Sequence, residues 1–436
     1  MKTKFRNHIA EILPFLSNSK LLIAVSGGID SVVLAHLCMQ AKLNISLAHC
    51  NFNLRGDESN ADEDFVLQLA EDWHLDVFIE NFDTENHAKT HKLSTQVAAR
   101  ELRYNWFSTL AQQLDFDYIL TAHHADDSLE TILINLTRGT GLDGLTGIPE
   151  VNFNIVRPLL PFSREAIENY AKENHLHWRE DSSNLTNKYL RNRLRHEVIP
   201  RLKSIHPQLL HSVSTTVQNL HYSRQIIEDA MVRVQKKVVT VDGEVIKLNI
   251  KKLQKLSDPK IYLYQLLKEF NFTNWDDVAG LLTAQSGKQV FSETHRLLKD
   301  RTHLLLAEIT SKETSTAINI SDSDTSVTTP FGTMVFGEVN AVLEKSVHSI
   351  FVDKDKLHYP LTIRKWEQGD VFYPIGMVGK KKLSKYFKDE KLSLIDKENV
   401  WVLCSNNAVV WVVGMRADER FKVTPSTKAI VQIKAH

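Results

Sequence analysis

The chain has 436 residues, 42% of them hydrophobic and 24% charged, with 53 Lys and Arg against 53 Asp and Glu. This length exceeds a single core and predicts two or three domains, while zero formal net charge excludes a protein that grips nucleic acid over its whole surface. Three cysteines, Cys38, Cys50 and Cys404, with no C-x-x-C, exclude a disulfide framework or a zinc ribbon. No apolar run approaches the ~18 residues of a membrane span and the first fifteen residues hold no apolar leader, so a cytosolic chain without a membrane anchor is expected.

In chain order, residues 1–20 predict a short amphipathic helix leading into a buried strand, Leu21–Val25. Ser26-Gly27-Gly28 follows, and Ile29-Asp30-Ser31 opens a helix with Val32, Val33, Leu34 and Leu37 as its apolar residues. A strand ending in two glycines just before a helix makes an anion site: the backbone comes close, the hydroxyls donate, and the helix N-terminus supplies free N–H groups. The pattern G-x-x-x-x-G-K-[ST] occurs nowhere, so this is not the phosphate loop of kinases and GTPases. Asn44–Asn51, Val77–Phe82 and Tyr118–Ala122 read as further strands, alternating with helices, which predicts a parallel sheet with a ligand at the carboxyl ends of its strands.

Residues 55–86 hold eleven acids and one basic residue, Arg55; most of these acids suit a solvated helix face. The segment His49–Ser59 leaves the second strand at the ligand edge with polar groups suited to a base or ribose. Arg100 and Arg103 share a helix face and either pair with nearby acids or meet phosphate. Thr121–Thr131 sets His123, His124, Asp126, Asp127 and Glu130 within eight residues at a strand-to-helix junction. Carboxylates there suit Mg²⁺ on phosphates and an imidazole suits proton transfer, whereas zinc is disfavoured because His-x-x-x-His and cysteine ligands are missing. Gly139–Gly147, with four glycines in nine residues, is a flap or a plain loop.

After a strand at 155–162, Ser163 caps a helix with Ala166, Ile167 and Tyr170 inward. From 188 to 203 six Lys and Arg stand against one acid, either an RNA-facing stripe that includes Arg191, Arg193 and Arg195 or a solvated basic helix. A long helix over 211–235 leads to a second domain with a hairpin at Asp242-Gly243, helices at 260–269 and 275–284, and strands near 296–308. Residues 311–329, rich in Ser, Thr and Asp, predict a linker. In the last hundred residues Lys380, Lys381 and Lys382, with Tyr386, Phe387 and Trp366 nearby, offer phosphate contacts and stacking faces for RNA. The strands 400–405 and 409–413 flank a turn at Asn406-Asn407.

SGGIDS at the end of an N-terminal strand resembles the PP-loop of the ATP pyrophosphatase superfamily. Together with LRGDES, AARELRY, HHADDSLET, RGTGLDGL and GDVFYPIGMVGKKKLSKYF it closely resembles the bacterial tRNA(Ile)-lysidine synthetase family, over essentially the whole chain. The resemblance implies an α/β chain: an adenine nucleotide α-hydrolase-like PP-loop domain (1–210), a mainly helical α+β tRNA-binding domain (211–310), the linker, and a small C-terminal α/β tRNA-binding domain (330–436). It implies a ligase that uses ATP to adenylate the wobble cytidine of a CAU-anticodon tRNA(Ile). Free lysine is then joined at C2, giving lysidine, AMP and pyrophosphate, with room for a homodimer. Carried over, Ser26, Gly27, Gly28, Ile29, Asp30 and Ser31 hold ATP; Asp30, His123, His124, Asp126 and Asp127 are catalytic; Asp30 and Asp127 hold Mg²⁺. Arg100, Arg103, Arg191, Arg193, Arg195 and Lys380–Lys382 hold tRNA. A thiolase with an iron–sulfur cluster would need clustered cysteines, a small-molecule PP-loop synthetase would not need the basic C-terminal block, and an RNA-binding protein with a vestigial pocket would not need an intact SGGIDS and HHADD.

Overall fold

Strand β1 (Lys20–Ala24) sends Leu21 and Ile23 into one core and Leu22 into another, and the N-terminal part of the chain is laid around it. In the computed structural model residues 1–180, 190–309, 317–342 and 346–436 are described, and the chain divides into two compact units, Met1–Glu228 and Asp229–His436. Among these residues no helix is long and apolar enough to cross a membrane.

In the first unit β1 is joined by β2 (Asn44–Asn51), β3 (Val77–Asn81), β4 (Tyr118–Leu120), β5 (Val151–Asn152) and β6 (Ile155–Val156), in the order β3-β2-β1-β4-β6-β5. All pair in parallel except β5, which forms a hairpin with β6. On one face lie α1 (Lys2–Ile12), α2 (Ile29–Gln40) and α3 (Asp57–Trp73). After α4 (Thr84–His91), α5 (Thr95–Gln113) covers the other face through Phe107, Leu110 and Ala111. Coverage on both faces explains why β1 reads as a continuous apolar run rather than an alternating one. Each of its three buried aliphatic side chains contributes ~1.5–3 kcal/mol by leaving water.

Then come α6 (Ala125–Arg138), α7 (Leu142–Leu145) and α8 (Arg164–Glu173). The strand expected over 155–162 is only Ile155–Val156, because Pro158 and Pro161 cannot donate to a ladder. Ser163 caps α8, accepting from the Ala166 N–H at 3.2 Å, with Ile167, Tyr170 and Ala171 as its buried face; Ala166 is only half-buried. The basic stretch is α9 (Leu190–Arg193), one π turn at Leu194–Val198, and α10 (Ile199–Ile205); Lys188 lies outside the described residues. Helix α11 (Leu209–Val238) runs on into the second unit.

The second unit opens with β7 (Val239–Asp242), β8 (Val245–Asn249), β9 (Gln289–Phe291), β10 (His295–Lys299) and β11 (His303–Glu308), an antiparallel sheet packed under helices Pro259–Leu267 and Trp275–Gly280. Its later part is two sheets sharing one core that includes Ile320, Met334, Ile363, Leu403, Trp411 and Ile433. The 311–329 linker is corrected here. Ile318–Ile320 pairs with Leu361–Ile363 and Ser326–Thr329 with Gly332–Val335, burying Ile320 and Thr329; the polar residues between them mask two short alternating strands. Residues 311–316 lie outside the described residues. Tyr386 and Phe387 are also corrected. Both are buried beside Phe372 and Val402 and offer no stacking face.

Candidate active site

The strand order reverses between β1 and β4: β2 and β3 lie on one side, β6 and β5 on the other. A crevice opens at such a point at the carboxyl ends of the strands. The Ser26–Ser31 loop leaves β1 and the His123–Asp127 segment leaves β4, so adjacent strands deliver the two motifs to that crevice.

The loop is a turn held by its own hydroxyls. Ser31 Oγ donates to the Gly28 carbonyl at 2.8 Å and accepts from the Ser26 N–H at 3.2 Å. Gly27 has φ +84°, and an added Cβ would sit 3.4 Å from the Phe65 ring. Ile29 points into the core, so only its backbone serves the loop. The loop is braced on both sides: His49 Nδ1 pairs with the Val25 carbonyl at 2.8 Å, and the Arg179 N–H donates to the Gly27 carbonyl at 3.0 Å. Arg179 also pairs with Asp62, which accepts from Arg55 at 2.8 Å. Thus one acid of the stretch expected to be solvated is a clamp behind the anion loop.

Around the crevice, charge is dense and paired. Asp30, in the first turn of α2, accepts from Arg164 at 2.6 Å on Oδ2, while its buried Oδ1 has no hydrogen-bond partner. Burial raises the Asp30 pKa against the opposing pull of His124 and Arg164. His124 is buried, with Nε2 3.4 Å from Asp127 Oδ2 and 3.8 Å from Asp30 Oδ1. Asp127 Oδ2 accepts from the His124 N–H at 3.0 Å. Burial pushes Asp127 up, but the His124 charge, that N–H and Arg191 outweigh it and hold the carboxyl below its ordinary value. His123, tied through Nδ1 to the Thr121 hydroxyl at 3.0 Å, is pushed down to about 4, chiefly by burial, which Arg157, Arg191 and Arg100 reinforce against the pull of Asp127.

Asp126 accepts from the Arg164 N–H at 2.8 Å and pairs with Lys203, so it ties α8 and α10 to the site. Two arginines of the stripe are held by carboxylates. Arg191 and Arg195, four apart across the α9–π junction, converge on fully buried Glu130: Arg191 Nε at 2.7 Å, Arg195 Nε at 2.6 Å and its Nη2 at 3.0 Å. Both also reach Asp127, at 3.4 and 3.0 Å. Arg193 points outward and lies 3.9 Å from Glu197. Arg103 lies over Phe52, itself stacked on Phe82, at the carboxyl ends of β2 and β3; Arg100 lies over Tyr104. In the second unit Lys381 is held by Asp389 at 2.8 Å, whereas Lys382 is exposed. Sequence reasoning gave no site role to Arg164, Arg179 or Asp62, and had Lys203 in view only as one of the six basic residues of the 188–203 stretch. It had Glu130 in view only as one acid among several, although Glu130 faces Asp127 and the α6 core side by helical spacing.

The parallel sheet with this loop at its switch point is the PP-loop domain, and the PP-loop domain family matches residues 1–202. The TilS substrate binding domain matches 241–309 and the TilS substrate C-terminal domain 361–433. The chain is 40% identical over 416 residues to the tRNA(Ile)-lysidine synthase of Parabacteroides distasonis, covering 94% of each chain. It is 37% identical over 423 residues to that of Bacteroides thetaiotaomicron, covering 96% of each. The chain belongs to the tRNA(Ile)-lysidine synthase family and is an ATP-using enzyme of that family.

Proposed function

We propose that the chain joins free lysine to C2 of the wobble cytidine in a CAU-anticodon tRNA(Ile), through a tRNA adenylated at O2. In the first half-reaction cytidine O2 attacks the α-phosphorus and pyrophosphate leaves. In the second the lysine ε-amine attacks C2, AMP leaves with the C2–O electron pair, and the amine proton passes to a base. The observation that carries this reading is the meeting of the anion loop with the His124–Asp30–Asp127 cluster at one switch point.

The loop N–H groups, the Ser26 and Ser31 hydroxyls and the α2 N-terminus suit the phosphates. The orphaned Asp30 Oδ1 fits a hard cation that takes one or two carboxylates and completes its shell with phosphate and water. Asp30 would hold Mg²⁺, which would neutralise phosphate charge; both Asp127 oxygens are already engaged by His124 and the arginines. His123, neutral at pH 7, can accept a hydrogen bond from the incoming amine, but at about 4 it is too weak a base to keep the proton, which passes on to solvent. A homodimer belongs to the same proposal and is read by light scattering.

The test is incubation with ATP, Mg²⁺, radiolabelled lysine and CAU-anticodon tRNA(Ile). ATP-dependent label that survives mild base, unlike an aminoacyl ester, is the expected result. AMP release without lysine incorporation would overturn the substrate. Bound tRNA with neither signal would leave a binding protein.

A further inference from the structure

The last part of the chain carries an apolar tip that its own fold does not cover. The β-hairpin Val371–Phe372 with Lys381–Lys382 is bridged by residues 373–380. The root of this loop is pinned: the Tyr373 N–H donates to fully buried Asp418 at 2.8 Å, the Ile375 N–H to the Ala417 carbonyl at 3.0 Å, and the Glu419 N–H to the Tyr373 carbonyl at 2.6 Å. The Met377 N–H closes a turn on the Pro374 carbonyl at 3.0 Å, between Gly376 at φ +79° and Gly379 at φ +91°. At the apex Val378 is 108% exposed and Met377 42% exposed. An aliphatic pair held out on an anchored turn is not a frayed end. It is a presented surface.

Its surroundings are cationic. The tip borders a concavity of about 420 Å³ lined also by Pro374, Lys380, Lys382 and Lys385. Asp389, the acid in this lining, is taken by Lys381. An apolar apex ringed by lysines matches a ligand whose flat apolar faces are flanked by anions, as nucleobases are flanked by phosphates. Val and Met lack a ring to stack between two bases; they fit as a wedge or cap against a base already at an end.

We propose that Met377 and Val378 cap an exposed base at the end of an RNA helix, while Lys380, Lys382 and Lys385 hold its phosphates. The proposal rests on the tRNA-modifying reading of the chain. It replaces the stacking role that burial denies to Tyr386 and Phe387.

The experiment measures the Kd of the full chain for CAU-anticodon tRNA(Ile) across a potassium chloride series, with hydroxyl-radical footprints and lysine-ligation kinetics. Met377→Ser/Val378→Ser should weaken binding about tenfold, as expected when two aliphatic side chains no longer cover an apolar face. It should leave the salt slope unchanged, raise KM for tRNA without lowering kcat, and expose one end of the RNA footprint. Lys380→Ala/Lys382→Ala should instead flatten the salt slope by ~0.7–0.9 for each phosphate that is no longer neutralised. Unchanged affinity and footprint in the double serine variant would overturn the proposal. So would a wild-type dimer that the variant dissociates at unaltered tRNA affinity, which would assign the tip to a second copy. Failure of the wild type itself to ligate lysine, with the tip protecting RNA as described, would overturn the enzymatic reading and leave the cap standing.

Discussion

Glu130→Gln tests the idea that one buried carboxylate fixes the helical segment over the site. Glu130 is fully buried and accepts three N–H bonds from Arg191 and Arg195. Glutamine keeps the shape but withdraws the charge and turns an N–H₂ group toward a guanidinium donor. Each charge-assisted bond is worth about 1.5–3 kcal/mol. The arginine side chains are 42% and 35% exposed, so water recovers part of the loss and Asp127 still holds Arg195. A net local cost of about 2–3 kcal/mol follows, or about 30- to 150-fold faster local opening. Hydrogen exchange with mass spectrometry on the full chain reads this directly. Peptides over 190–205 should exchange faster by that factor, and peptides over β1 and β2 should be unchanged. Unaltered exchange over 190–205 would show that the Glu130 pairs do not fix the segment.

Asp30→Asn should abolish AMP release while tRNA affinity, measured by filter binding, stays within about twofold, a change of under ~0.5 kcal/mol. Gly27→Ala should weaken ATP binding in calorimetry and cost roughly 1–2 kcal/mol, because φ +84° disfavours a Cβ and Phe65 stands at 3.4 Å. His123, lowered to about 4 in the folded chain, binds its proton more readily when unfolded. Its contribution to stability is therefore complete above about pH 6.5 and is lost as pH falls toward 4, and His123→Gln should flatten that acid limb in denaturant melts.

Strand β2 is legible to the residue, since Asn44 and Asn51 bracket a mostly apolar stretch that is buried on both faces, Ser46 and His49 included. The anion loop is legible because its glycines, hydroxyls and helix start are contiguous. What the sequence hides is pairing at a distance. Arg164 meets Asp30 across 134 residues and Arg179 meets Asp62 across 117, and no local pattern marks a lysine or arginine as the partner of a particular acid. The same holds for Arg191 and Arg195, whose spacing suits solvent, RNA or a buried carboxylate equally. Tyr386 and Phe387 show the opposite case. Leu383, Tyr386 and Phe387 stand at i, i+3 and i+4, an inward helix face that is visible in the sequence but outweighed there by the neighbouring lysines.

The clamp behind the anion loop bears on the order in which the enzyme is made. The Gly27 carbonyl gains its partner only with Arg179, which also joins Arg55 on Asp62, so the nucleotide cradle is not completed by the strand–turn–helix that carries its motif. During synthesis some 150 residues must emerge before the loop gains its last brace, a long loop closure that slows assembly more than it weakens the product. Until residue 179 is made, the anion loop has its own hydroxyl bonds and the His49 contact but not the brace on the Gly27 carbonyl.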